Sequence, residues 1–124
     1  MREIKFRAWD NNNDFMFYHN DEGEFSRIID GERVGSDFDI KDLLFSPYDG
    51  ILSMQFTGLT DKNGKEIYES DVYHQGDPNI TYTVVYKGST FIGKQNGSSS
   101  YAGLEYWQDR IEVIGNIHEN PELL

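Results

Sequence analysis

An Asn-Gly pair set between two apolar stretches constrains this chain more than any other feature. Asn63-Gly64 lies inside the polar run Asp61-Lys62-Asn63-Gly64-Lys65, with Ile51 to Phe56 before it and Glu66 to Tyr73 after it. Asn and Gly both accept the positive φ angles of tight turns whose twist suits paired strands, so this spacing predicts a β-hairpin. Period-two alternation recurs on both sides of it. Ile4, Phe6 and Ala8 alternate with Lys5, Arg7 and Trp9; Asp10-Asn11-Asn12-Asn13-Asp14 is a turn; Phe15 to Tyr18 resumes an apolar strand. Asp21-Glu22-Gly23 is a second turn, followed by a strand through Phe25 to Ile29.

From Asp30 to Asp49 the chain reads as polar and irregular, with a short helical turn at Ile40 to Phe45 that Pro47 stops. Ile80-Thr81-Tyr82-Thr83-Val84-Val85-Tyr86 is the clearest strand, rich in β-branched and aromatic residues. Its Ile80 and Val84 face is expected to be core. Lys87-Gly88-Ser89 turns it into Thr90 to Lys94, Asn96 to Ser100 reads as a flexible tip, and Arg110 to Ile117 as the closing strand. Short strands separated by turn chemistry, with little helix, predict a mainly β protein. Residues 50–124 are expected to form a small closed barrel with Ile67, Val84, Ile111 and Val113 in its core, and residues 1–49 an acidic, hairpin-containing part packed on it.

The absence of cysteine among the 124 residues removes disulfide frameworks, thiolate zinc sites and Cys nucleophiles together. No run approaches the roughly 20 apolar residues of a membrane span, and the first residues carry no apolar signal segment. No membrane partner is therefore expected, and the protein is expected in the cytoplasm. The net charge of −11 is unevenly spread: Asp10 to Asp49 holds 11 acidic against 3 basic residues, a local balance of −8. Phosphate contacts dominate nucleic-acid affinity, so a chain this acidic is not expected to bind DNA or RNA. The excess reads as plain solubility or as a docking surface for a basic partner.

Four residue groups are candidates for chemistry. Asp10, Asn12 and Asp14 match the first oxygen positions of a calcium loop, but Phe15 stands where glycine belongs and Asp21 where a bidentate glutamate belongs. His19, His74 and His118 share no short ligand spacing. Glu66, Glu69 and Asp71 cluster after the central turn, as some carboxylates must in a chain with 22 of them. Ser98-Ser99-Ser100 lacks the strand–turn–helix setting of a nucleophile elbow. No catalytic, cofactor-binding or metal-binding residue is assigned. Trp107, beside Tyr106, is either a partly exposed ring or a lid over one barrel end.

Three stretches together resemble the YopX family of phage and prophage proteins: Arg2 to Asp10, Met54 to Glu69, and Ile111 to Leu124. They span the chain in the expected order. The resemblance implies an origin in a phage or prophage of Gram-positive bacteria and an SH3-type barrel in the C-terminal half. It implies no catalytic residues. At Glu69-Ser70-Asp71 a serine stands where the family pattern carries glycine, which puts a positive-φ turn there in question.

The expected function is that of a non-enzymatic accessory protein, a binding or assembly module with a protein partner. Two alternatives stand beside it: a metal-dependent or carboxylate-based hydrolase near Asp10 to Asp21, and an acidic DNA mimic that decoys a basic host protein. A symmetric homo-oligomer is also expected. Phe15, Phe17, Tyr18, Phe25, Phe38 and Phe45 lie where few strands are available to cover them, and Arg2, Lys5 or Arg7 could pair with a neighbour's carboxylates.

Overall fold

Eleven strands, all paired antiparallel, make up most of the computed structural model, which describes residues 5–19, 24–29, 31–39 and 51–124. The chain divides by Cα proximity into two compact units, Lys5–Gln55 and Phe56–Leu124. Among the described residues no helix is long and apolar enough to cross a membrane.

The first unit is a run of neighbouring strands: β1 (Phe6–Asp10), β2 (Phe15–His19), β3 (Glu24–Ile29), β4 (Glu32–Asp39) and the first half of β5 (Ile51–Thr60). The six-stranded order is β4-β3-β2-β1-β5-β6, with β6 at Glu66–Tyr68. Register explains which residues are buried. Ala8 lies opposite both Phe17 and Ser53, and Trp9 opposite both Met16 and Leu52. Alternation therefore sorts Ala8, Phe17 and Phe25 into one cluster and Trp9, Met16 and Met54 into another.

Two expectations change here. Part of the stretch from Asp30 to Asp49 is strand: β4 pairs with β3 from Ile29↔Glu32 onward, and Gly31 turns at a φ of 83°. The Asp30-Gly31 dipeptide carries the hairpin signal in the sequence. The helical turn expected at Ile40 to Phe45 lies outside the described residues, as does Phe45 itself. Some of the aromatic residues also find cover within their own sheet, whereas Tyr18 is 44% exposed. Phe17 and Phe25 are buried, and the Arg27 guanidinium stands 3.5 Å over the Phe15 ring.

The second unit holds the rest of β5, β6, and a five-stranded sheet of order β10-β9-β8-β7-β11. Its strands are β7 (Asp71–His74), β8 (Thr81–Lys87), β9 (Thr90–Gln95), β10 (Tyr101–Gly103) and β11 (Glu112–Asn116). A one-turn helix, Leu104–Trp107, and a 3-10 turn, Gln108–Arg110, link β10 to β11. The four expected core residues, Ile67, Val84, Ile111 and Val113, are all buried, joined by Tyr73, Tyr82, Phe91 and Leu104. Ile80 is not core. Its N–H closes a turn onto the Asp77 carbonyl, so it stands outside the alternation of β8 and is 41% exposed.

The expected closed barrel is not formed. The sheet is open, ending at β10 and β11. β10 has three residues, too few to reach round and pair. The edge of β11 is covered instead by the turn after β5. The Lys62 N–H donates to the Ile111 carbonyl at 2.9 Å, and the Val113 N–H donates to Asp61 Oδ2 at 2.9 Å. A covered edge needs no closure to be safe from further strand addition.

Candidate functional surface

The central block, Met54 to Glu69, is built for folding. Phe56 packs its ring 5.4 Å from that of Tyr68. At Gly58, whose φ is 90°, β5 bulges, and pairing with β6 skips from Phe56↔Tyr68 to Thr60↔Glu66. The Thr57 hydroxyl bridges that gap, donating to the Ile67 carbonyl at 2.7 Å and accepting the Leu59 N–H at 3.2 Å. Asp61, 6% exposed, then organises the hairpin turn. Its Oδ1 accepts the N–H groups of Asn63 and Lys65, both at 2.9 Å, while Oδ2 holds Val113.

The departure at Ser70 is also resolved. Ser70 takes the left-handed conformation itself, with φ at 75°. Its N–H donates to the Val84 carbonyl and its carbonyl accepts the Ile117 N–H, so tertiary bonds hold a conformation that costs a non-glycine residue roughly 1 kcal/mol. Ser70→Gly should accordingly raise stability by up to about 1 kcal/mol in urea denaturation, offset in part by greater freedom of the unfolded chain. A loss of stability would show that the serine side chain contributes more than its backbone strain costs.

The other residues singled out from the sequence have structural partners. Asp10 closes the first turn: Oδ1 accepts the N–H groups of Asn12 and Asn13, and Oδ2 the Asn13 amide at 2.9 Å. The Asn13 side chain, chiefly, holds the Asp10 carboxyl below its ordinary pKa, against the opposing effect of burial. Asp71 is buried and accepts the Tyr68 N–H at 2.7 Å; Glu66 and Glu69 are half-buried beside the same turn. Ser98 and Ser100 hydroxyls bond each other within a defined β9–β10 turn, so the expected flexible tip is a hydrogen-bonded hairpin end.

The three histidines belong to separate elements. His19 lies in β2, His118 follows Asn116 in a side-chain-capped turn, and His74 is buried on β7. His74 Nδ1 accepts the Gly76 N–H at 3.2 Å, which leaves the ring proton on Nε2, 3.0 Å from Glu112 Oε2. That bond, followed by Lys62 at 3.5 Å, lowers the Glu112 pKa. Among the described residues no group of three or more His, Asp and Glu could hold a metal ion.

The feature that folding does not account for is the segment after β10. Leu104 inserts into the core, and Trp107 packs against it half-buried, in the manner of a lid. Tyr106 projects between them and is 84% exposed, its ring meeting that of Trp107 edge-on at 5.1 Å. The segment borders two grooves. Leu104 and Glu105 line one of about 340 Å³ with the β5 bulge and the start of β9; Tyr106, Trp107, Asp109 and Arg110 line another of about 290 Å³. Arg110 lies 5.8 Å from the Trp107 ring. Of these residues only Trp107 stood out in the sequence. The run Glu105-Tyr106-Trp107-Gln108-Asp109-Arg110 carries the signal, two large rings among charges, with no periodicity to place it.

Comparisons with known proteins agree with the shape. A family model described as YopX protein matches residues 5–124. The crystal structure of protein EF1440 from Enterococcus faecalis superposes with a TM-score of 0.65 at 26% identity, covering 100% of this chain and 99% of its own. The crystal structure of protein yopX from Bacillus subtilis gives a TM-score of 0.57 at 20% identity, with 97% of each chain covered. A comparison with curated proteins finds no match.

Proposed function

The chain belongs to the YopX family, and from that premise we propose that it is a phage or prophage accessory protein that acts by binding a protein partner. One observation carries the reading: a one-turn helix presents Tyr106, 84% exposed, beside the half-buried Trp107 and the exposed Arg110. Tyr, Trp and Arg are the side chains that dominate binding energy at protein interfaces, and a ring this exposed contributes nothing to its own core. The SH3-type relation belongs to the same proposal. Its support is the strand order, a meander from β7 to β10 followed, after a 3-10 turn, by β11, which pairs with β7. The hydrolase alternative drew on Asp10, whose carboxylate is committed to its own turn.

Affinity capture from induced host cells, repeated with Tyr106→Ser, tests the reading. The variant should fold with an unchanged melting temperature, because the ring is solvent-exposed, and should bind the captured protein at least tenfold more weakly, the effect of losing about 1.4 kcal/mol of contact. Equal affinity of the two proteins for the same partner overturns this surface. Binding that vanishes between low and high salt for both proteins alike would favour the decoy instead.

A further inference from the structure

We propose that the groove between the β5 bulge, the start of β9 and the helix receives an extended segment of the partner in which a Lys or Arg adjoins an apolar side chain. This rests on the protein-binding reading and adds the chemistry of the occupant. Three observations point to it. The floor carries apolar side chains, Leu59 and the edges of the buried core residues Phe91 and Leu104, beside the polar Thr57 and Thr90. The rim carries a single formal charge, the exposed Glu105. Among the described residues that carboxylate has no ion pair and accepts no hydrogen bond.

The third observation is the wall. Residues 57–59 leave the ladder with β6, and Gly58 has no side chain to shield its main chain. A partner's backbone can approach closely there, which is what a glycine inside a strand commonly permits. The Thr57 hydroxyl is already bonded on both sides, so recognition falls to the floor and to Glu105. An anionic ligand would meet an unpaired carboxylate and no cation on this groove. A basic side chain would pair with Glu105, in keeping with the net charge of −11. A volume of about 340 Å³ suits one or two side chains laid along a cleft.

The test is selection from a displayed library of random peptides by three proteins: the unaltered chain, Glu105→Lys and Tyr106→Ser. Melting temperatures and a Glu105→Gln control confirm that the exposed substitutions leave the fold intact. The unaltered chain should enrich peptides with Lys or Arg next to an apolar residue. Glu105→Lys should reverse the preference toward Asp or Glu and weaken the original peptides tenfold or more, and Glu105→Gln should weaken them less. Enrichment of peptides without a basic residue, no enrichment at all, or unchanged selection by Glu105→Lys each overturns the proposal. If Tyr106→Ser alone loses binding while Glu105→Lys selects as before, the protein-binding reading stands and the groove chemistry falls.

Discussion

Replacing Asp61 by Ala is expected to cost the second unit about 3 kcal/mol or more, a large share of the 5–15 kcal/mol that stabilises an ordinary domain. One buried carboxylate accepts three backbone N–H groups, from Asn63, Lys65 and Val113. An alanine leaves all three without their acceptor; the buried Val113 donor so stranded costs roughly 1–3 kcal/mol, and the two part-buried turn donors add to it. The effect reaches beyond the turn, because Asp61 also holds β11, the strand that ends the sheet. Asp61→Asn separates the contributions. Its remaining oxygen can serve Asn63 and Lys65 as Oδ1 does, while its amide faces the Val113 N–H donor to donor. The Asn variant should therefore lie between alanine and the unaltered protein. Urea denaturation with a shared slope measures both. Midpoints unchanged for Asp61→Ala would mean that solvent replaces all three bonds, and the account of the hairpin would fail.

Asp61 also shows where sequence reading stops. The Asn63-Gly64 turn is local, and its residue types declare it; Gly64 does turn at a φ of 83°. Ile67, Val84, Ile111 and Val113 are legible as core because alternation marks them. The second task of Asp61 depends on Val113, 52 residues away, and no short-range pattern encodes that bond. The open sheet is hidden for the same reason: whether β11 closes a barrel or is capped by a turn is decided by a long-range contact. Ile80 misled because its apolar side chain continues the rhythm of β8 by one step into a turn. The candidate surface failed differently. A helix of four residues has too few positions for a period to appear, so only the fold places Tyr106 and Glu105.

The second large effect is expected at Gly93, where alanine should destabilise by about 2 kcal/mol or more and Tyr73→Phe should restore much of the loss. Gly93 lies in β9 between Val84 on one side and Ala102 on the other. Its backbone is not left-handed, so conformation alone would favour alanine, which narrows the unfolded ensemble by about 0.4–1 kcal/mol. Space decides the sign. A Cβ at Gly93 would run into the hydroxyl of Tyr73 and approach its ring carbon, and Tyr73 is fully buried with its ring stacked on Tyr82 at 5.3 Å. Overpacking of this kind costs roughly 1–3 kcal/mol. The hydroxyl is also buried without a hydrogen-bond partner among the described residues. Tyr73→Phe alone should then change stability little or raise it, since a polar group buried unpaired is a cost. In the double variant the obstructing oxygen is gone, and the coupling should exceed about 1 kcal/mol. Strictly additive losses would show that the clash is with the ring or the strand, and that the hydroxyl is incidental. An alkaline titration checks the same environment. Burial first, and then Tyr82, hold the Tyr73 phenol above its ordinary value of 10.0. The unfolded chain therefore releases this proton at lower pH than the folded one. The stabilising contribution is full below pH 10.0 and declines as pH rises beyond it. Tyr73→Phe should flatten that decline, and an unchanged alkaline profile would place the titrating group elsewhere.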